Sequence, residues 1–453
     1  MDEFDVIVIG AGPAGEVCAG RLAEAGKSVA IVESRLIGGE CSFFGCMPSK
    51  SLLRPEEVVT EARRIPGARE AVTGPLDVQA VLRRRDQVVH DLDDSVQVPW
   101  LEVRNVAIVR GRARFTGERR VDVDGRALAA REAVVVATGS SAVVPPIPGL
   151  AEAEPWTNIE GTTSKEVPER LIVLGGGVVG VELGQAWRSL GSEVTIVEGG
   201  PRVIAREEEF ASELVRDALL KRGIAIKCGH RAVSVARANG TVTLELDNGD
   251  TIEGSELLAA IGRQANTADL GLETVGLESG KPLRVDDSMR ANDWLYAIGD
   301  VNGRALLTHM GKYHGRIAAD VILGRDARAD PLASGTMSPR VIFTDPNVAA
   351  VGHTLASAQA AGIDARAVDH PTSGVAGGSF YGREAPGTSR IVVDEARRVL
   401  VGATFCGAEV AEWLHAATIA IVGEVPLEKL WHAVPCFPTR SEVWLRLFES
   451  YGL

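Results

Sequence analysis

The chain is poor in cysteine: six in 453 residues cannot form the dense disulfide framework of a small secreted scaffold. Basic residues are outnumbered, with 48 Lys and Arg against 61 Asp and Glu and a formal net charge of −13. The one basic cluster that stands out, Arg83-Arg84-Arg85, reads as a solvated helix face, so nucleic acid is not an expected partner. No apolar run reaches membrane-spanning length, because glycine or charge interrupts the longest ones, which argues against membrane insertion. The opening MDEFDVIVIG has no basic n-region and runs straight into a strand, so a cytoplasmic location is expected. Low-complexity segments and long disordered linkers are missing as well, and no metal site is indicated. A chain of this length can bury two or three cores, so several domains are expected.

What is present is a repeat. The segment Asp5–Glu33 (DVIVIGAGPAGEVCAGRLAEAGKSVAIVE) aligns without a gap to Arg170–Glu198 (RLIVLGGGVVGVELGQAWRSLGSEVTIVE), at an offset of 165 residues. Gly10, Gly12, Pro13, Ala14 and Gly15 fall on Gly175, Gly177, Val178, Val179 and Gly180, and Glu33 falls on Glu198. Each unit reads as apolar strand, GxGxxG turn, amphipathic helix, glycine stop, second strand and terminal acid. The glycines permit a tight turn and close approach of a pyrophosphate to a helix N-terminus, while the acid accepts hydrogen bonds from a ribose. One such turn also occurs for packing alone. Two complete units with matching acids point to two dinucleotide sites. Because Glu198 favours a free ribose 2′-hydroxyl, NAD(H) is expected over NADP(H) at the second. Arg202, four residues on, is the one residue that could swing back to a 2′-phosphate.

Cys41 and Cys46 follow the first unit in GGECSFFGCMPSK, with four residues between them. That spacing lets two thiols meet across one turn and close a small ring that thiolate exchange opens easily. The Pro-Ser-Lys and Leu-Leu that follow read as the start of a helix, whose N-terminus together with Lys50 would favour a thiolate on Cys46. Two ordinary buried cysteines are the alternative. The adjoining dinucleotide fingerprint favours a redox pair.

Further along come VVVATGS, the Pro-rich link VVPPIPGL, AAIGR, YAIGD and FTDPNVAAVG. In this order, with GAGPAG, the cysteine loop and GGGVVGVELG, the motifs cover essentially the whole chain, which resembles the pyridine nucleotide-disulfide oxidoreductases. Lipoamide dehydrogenase, glutathione reductase and mercuric reductase are members of that family. The resemblance implies an α/β fold with two Rossmann-like dinucleotide-binding domains plus a C-terminal α+β dimerisation domain. Residues 1–148 and 266–334 would bind FAD, 149–265 would bind NAD, and 335–453 would form the interface of a homodimer whose active sites join both subunits. It assigns to FAD Gly10, Gly12, Pro13, Ala14, Gly15, Glu33, Ser34, Gly39 and Lys50, the backbone near Ala113, Thr138, Gly139, Ser140 and Arg263. Asp300 and Leu307, Thr308 and His309 beside the isoalloxazine complete that set. To NAD it assigns Gly175, Gly177, Val178, Val179, Gly180, Glu182, Glu198, Val233 and Gly262. Hydride would pass from the nicotinamide through the flavin to Cys46, the flavin-facing thiol, leaving Cys41 as the interchange thiol that meets an acceptor. Lys50 and Glu182 match an ion pair beside the flavin. On their own they read as a solvated helix charge and a capping acid.

One position departs from the family. Its disulfide reductases carry His-Pro-Thr and then Ser-Glu near the C-terminus, the His being the acid–base partner of the interchange thiol and the Glu its orienter. Here the stretch is CFPTRSE: Glu442 is present, but Phe437 stands at the histidine position. Phenylalanine carries no proton, so ordinary disulfide turnover is expected to be weaker by about 10²–10⁴-fold. His432 reads as a helix-end surface residue and Cys436 as a buried structural cysteine. The leading expectation is therefore an enzyme carrying electrons from NADH to a small acceptor that needs no imidazole acid, such as a quinone, a dye or a disulfide with low-pKa leaving thiols. A dihydrolipoamide dehydrogenase of a 2-oxoacid complex is the first alternative. A nucleotide-responsive, non-catalytic flavoprotein is the second.

Overall fold

Strands buried on both faces read as unbroken apolar runs, and the two strongest runs, Asp5–Ile9 and Arg170–Leu174, begin the two repeats. In the computed structural model, which describes residues 1–382, 385 and 387–453, both become the inner strand of a parallel sheet. The chain divides into two compact units. The first comprises Met1–Pro48, Arg85–Val143 and Arg263–Gly335; the second comprises Ser49–Arg84, Val144–Gly262 and Thr336–Leu453.

In the first unit the strand Asp2–Ile9 pairs in parallel with Val29–Glu33 on one side and Arg126–Val136 on the other. Ala107–Arg110 extends one edge, and Leu295–Ala297 joins Arg126–Val136 in parallel. An antiparallel meander, Ala113–Gly117 and Arg120–Val123, completes the sheet of seven strands. Because side chains alternate along a strand, the sheet feeds two cores. Val6, Val8 and Ile31 pack with Leu22 and Cys18 of the helix Pro13–Glu24, while Ile7, Ile9 and Val32 pack with Val134, Val136 and Phe115.

The second unit repeats the first device. Arg170–Leu174 lies between Glu193–Glu198 and Glu256–Ala259, with Ala225–Cys228 at the edge, all parallel. The register is the same to the residue: Val6 faces Val29 and Ile9 faces Val32, as Leu171 faces Val194 and Leu174 faces Val197. The helices Pro13–Glu24 and Val178–Ser189 also correspond end to end. A three-stranded antiparallel sheet (Ala232–Ala238, Thr241–Leu246, Thr251–Gly254) covers one face of the second parallel sheet through Val235, Val242 and Leu244. The C-terminal part is an antiparallel five-stranded sheet in the order Arg340–Ile342, Asn347–Gly352, Val399–Gly407, Thr388–Asp394 and Ala365–Pro371. The helices Leu414–Val422 and Glu442–Tyr451 accompany it. Two parallel α/β layers and an α+β C-terminal part agree with the fold class expected from the sequence.

Candidate active site

The glycine turns are shaped by close backbone approach. Gly10 has φ +107°, and a Cβ at Gly15 would stand 2.0 Å from the Gly10 carbonyl oxygen. The second repeat has the same constraint, with φ +112° at Gly175 and a Gly180 Cβ 1.9 Å from its carbonyl. A Cβ on the middle glycine of each turn meets open space: at Gly177 nothing lies within 4 Å, and at Gly12 the nearest atom is the Gly39 Cα at 3.9 Å. That is the room a pyrophosphate needs above a helix N-terminus. Gly15→Ala is expected to force the first turn open, so that the purified protein carries less than about a tenth of its normal FAD by absorbance ratio. Gly180→Ala should keep FAD and raise the KM for the nicotinamide nucleotide.

The terminal acids are tied to the backbone of their own units. Glu33 accepts hydrogen bonds from the Ala11 N–H (2.8 Å) and the Arg35 N–H (2.7 Å). Glu198 accepts from Gly176 and Gly200, each at 2.6 Å, the same positions displaced by one repeat. Each carboxylate thus fastens its glycine turn to the end of the next strand. Arg202 donates instead to the carbonyls of Ala205 and Glu207, both at 3.0 Å. Val178 and Val179 open the second helix, Val233 is exposed on its antiparallel strand, and Gly262 has φ +144° with open space around it.

A second cluster in the first unit surrounds Asp300. Ser140 Oγ donates to Asp300 Oδ2 (2.6 Å) and accepts from Arg263 Nε (2.7 Å), and Arg263 also pairs with Glu40. Burial holds the Asp300 carboxyl above the usual range, opposed by Ser140 and Arg263. Thr138 Oγ1 donates to the Asn266 carbonyl at 2.8 Å, and Asn266 Nδ2 returns a bond to the Thr138 carbonyl at 3.0 Å. Ala113 is buried at the start of its strand, pairing with Val123, and Ser34 is exposed just after Glu33. Asn266 and Glu40 are partners that sequence reading did not single out. Arg263 lies 223 residues from Glu40, and no local spacing announces that contact.

The cysteine loop is anchored to the first fingerprint. Gly39, with φ +61°, approaches Gly12 so closely that a Cβ there would fall 2.8 Å from the Gly12 Cα. Cys41 lies in the short helix Gly39–Phe43, and Cys46 opens the helix Cys46–Arg64, as the Pro-Ser-Lys pattern implied. Both are thiols here. Cys46 Sγ is 3.4 Å from Thr308 Oγ1, and Cys41 is hydrogen-bonded to Cys46 and also reached by the Thr308 hydroxyl. Thr308 begins the helix Thr308–Ile322, with Leu307 as its N-cap and His309 exposed in its first turn. The adjacent Cys46 sulfur, then burial, drives the Cys41 thiol far above the ordinary thiol range, against the pull of Thr308 and Lys312.

In the second unit Lys50 Nζ bonds Glu182 Oε2 at 2.5 Å. Glu182 is buried in its helix rather than capping it, and its Oε1 accepts from the Phe343 N–H at 2.9 Å. The Lys50 ammonium lies 4.9 Å from the Phe343 ring centroid. Its charge is therefore directed at Glu182. Farther on, Glu442 is buried at the start of Glu442–Tyr451 and accepts from the Gly377 N–H at 3.3 Å. Phe437 is 76% exposed. His432 is exposed just past the helix Leu427–Leu430, as expected, but Cys436 is exposed, not buried. The correction has a simple cause: an apolar-looking CFP run lies in a loop, with no strand or helix to carry it inward.

Residues 4–315 match the family model described as pyridine nucleotide-disulphide oxidoreductase, and residues 338–447 match its dimerisation domain. The chain belongs to this family. It is 31% identical to the dihydrolipoyl dehydrogenase of Chlamydia muridarum over 453 residues, covering 98% of this chain and 96% of that one. It is 30% identical to a mercuric reductase of Staphylococcus aureus over 447 residues, 97% of this chain and 81% of the relative. Among solved structures, LpdA from Mycobacterium tuberculosis superposes with a TM-score of 0.88 at 26% identity over the whole of both chains. The Cu(II) complex of the HOCl-induced flavoprotein disulfide reductase RclA from Escherichia coli gives 0.87 at 25% identity, over 99% of each chain. The protein is thus an oxidoreductase of the FAD- and pyridine nucleotide-dependent type, with a C-terminal dimerisation domain. Among the described residues no helix is long and apolar enough to cross a membrane.

Proposed function

We propose that this enzyme carries two electrons from NADH by way of FAD to a Cys41–Cys46 disulfide, and on to a small acceptor: a quinone, a dye or a disulfide with low-pKa leaving thiols. The observation that carries this reading is the arrangement of Cys41, Cys46 and Thr308, two thiols in hydrogen-bond contact at the mouth of a helix. FAD, when bound, supplies the hydride acceptor and the two-electron donor. The residues that fit it are the open Gly12 turn, Glu33, the Ser140–Asp300–Arg263 cluster and Thr308. Cys46 is the flavin-facing thiol and Cys41 the interchange thiol. Lys50 and Glu182 form the ion pair beside the flavin, a fixed cation suited to stabilising negative charge there. Phe437 occupies the position of the family's acid–base histidine, so an acceptor needing no proton from that side is favoured.

In this reading the FAD-binding domain is residues 1–148 and 266–334, the NAD-binding domain 149–265 and the interface of a cytoplasmic homodimer 335–453. The test is a steady-state screen with NADH and lipoamide, several disulfides, menadione and ferricyanide. Quinone or dye turnover far above lipoamide turnover is expected; brisk lipoamide reduction would replace this reading with a dihydrolipoamide dehydrogenase. A soft metal ion is a second acceptor class, suggested by the mercuric reductase relative and by the Cu(II) complex of RclA. Hg(II) and Cu(II) therefore belong in the same screen.

The donor assignment rests on Glu198, whose carboxylate is fixed by Gly176 and Gly200 while Arg202 is held by carbonyls of its own loop. A carboxylate at a ribose repels a 2′-phosphate. The kcat/KM for NADH should exceed that for NADPH by about tenfold or more, which corresponds to roughly 1.4 kcal/mol. Glu198→Ala should narrow the gap. A wild-type preference for NADPH refutes the assignment.

A further inference from the structure

The loop 199–208, which follows Glu198, folds back over the second glycine turn. The Ile204 N–H donates to the Gly176 carbonyl at 2.8 Å, and the Glu207 N–H donates to the Ile204 carbonyl at 3.0 Å. Ile204 is held at φ +42°. A β-branched residue at positive φ is strained and stays there only where its surroundings fix it. Arg202 is parked inside this loop, its Nη2 donating to the Ala205 and Glu207 carbonyls, both at 3.0 Å. Its Nη1 is buried and has no hydrogen-bond partner among the described residues. A buried donor left without an acceptor is costly, so the parked position is only half satisfied.

The clamp on this loop comes from far along the chain. The buried Glu207 carboxylate accepts two hydrogen bonds from Arg340, Nε to Oε1 and Nη2 to Oε2, each at 2.7 Å. Arg340 opens the strand Arg340–Ile342 of the C-terminal sheet and also donates to the Thr336 carbonyl and, at 3.3 Å, to the Ser338 carbonyl. Beside it, Glu208 accepts from the Leu355 N–H at 2.8 Å and from Arg390 Nη1 at 2.9 Å. A forked guanidinium–carboxylate pair fixes direction as well as distance. The Glu207 carbonyl that receives Arg202 is therefore set in place by its own clamped side chain.

We propose that the Glu207–Arg340 pair is a remote determinant of coenzyme choice. It fixes the carbonyl that parks Arg202, and so keeps from the nucleotide site the cation that would bind a ribose 2′-phosphate. The proposal rests on the reading of Glu198 as the ribose acid and of NADH as the donor. Glu207 and Arg340 are positioning residues that act through Arg202. With the clamp slack, Ile204 relaxes and Arg202 loses a carbonyl. Its guanidinium then gains by forking onto a phosphate, which also gives Nη1 a partner. Glu198 still repels that phosphate, so the preference narrows without inverting.

The test is titration calorimetry of the FAD-loaded enzyme with 5′-AMP and with adenosine 2′,5′-bisphosphate, which differ only by the 2′-phosphate. Wild type should bind 5′-AMP more tightly. Glu207→Gln should tighten the bisphosphate by about tenfold and leave 5′-AMP within about twofold. The ratio of kcat/KM for NADPH to that for NADH, with ferricyanide as acceptor, should rise in step. Arg340→Lys keeps the charge but loses the fork; it should move the same way by a smaller factor, and serves if Glu207→Gln does not fold. Adding Arg202→Met to either variant should cancel the gain. Loosening of the fold alone would weaken both ligands together and would not depend on Arg202; that outcome overturns the proposal, as does an unchanged ratio in both variants. A Cβ on Gly199 would stand 3.3 Å from the Arg231 Cγ, so a second cation is at hand. A gain that survives Arg202→Met points to Arg231 and also overturns the proposal. A wild type that prefers the bisphosphate refutes the donor reading, and the clamp falls with it. A wild type that prefers 5′-AMP, with variants that behave the same, removes the clamp alone.

Discussion

Cys46→Ser is expected to abolish the long-wavelength absorbance band that forms on anaerobic reduction with NADH, while FAD stays bound. Cys41→Ser should do the opposite and show that band before any NADH is added. Such a band needs a thiolate against an oxidised flavin, so its presence reports which sulfur faces the cofactor. Of the two thiols, Cys46 is at the mouth of its own helix, where the backbone N–H groups favour an anion. The Cys41 thiol is pushed up, first by the Cys46 sulfur and then by burial. Removing Cys41 leaves Cys46 with no disulfide to form. Removing Cys46 removes the sulfur that, in the proposed reading, faces the flavin. Quinone and dye reduction in these variants then locates the exit of electrons: turnover that survives both changes leaves from the flavin, and turnover lost in either leaves through the thiols. A band that persists in Cys46→Ser would reverse the assignment of the two cysteines.

Local sequence carried the two dinucleotide units because their determinants are local. The alignment of Gly10 with Gly175 and Glu33 with Glu198 needs only strand, turn, helix and strand in succession, and the paired registers follow from it. The cysteine helix was legible for the same reason, since Pro-Ser-Lys after Cys46 is a short-range start signal. What stayed hidden depends on pairs far apart in the chain. Arg263 with Glu40 and Thr138 with Asn266 are joined only by the packing of distant elements, and no periodicity marks them. Cys436 fails in the other direction: composition suggested burial, and its place in a loop left it exposed.

Phe437→His should raise kcat/KM for lipoamide by about tenfold or more while leaving quinone reduction within about twofold. In the proposed reading this position corresponds to the imidazole that takes the proton of the interchange thiol, and CFPTRSE retains the Pro, Thr, Ser and Glu around it. Phe437 is 76% exposed, so a smaller polar ring can replace it without opening a cavity in the chain. Glu442 is buried nearby in sequence and already hydrogen-bonded to the Gly377 N–H, a carboxylate held in place and able to favour an imidazolium. The gain should fall short of the full 10²–10⁴-fold that general acid–base catalysis typically supplies, because the surrounding side chains were not selected around a histidine. Quinone reduction is the control, since it draws no proton from that side. No gain, or brisk lipoamide reduction by wild type, would show that the missing histidine does not set the substrate of this enzyme.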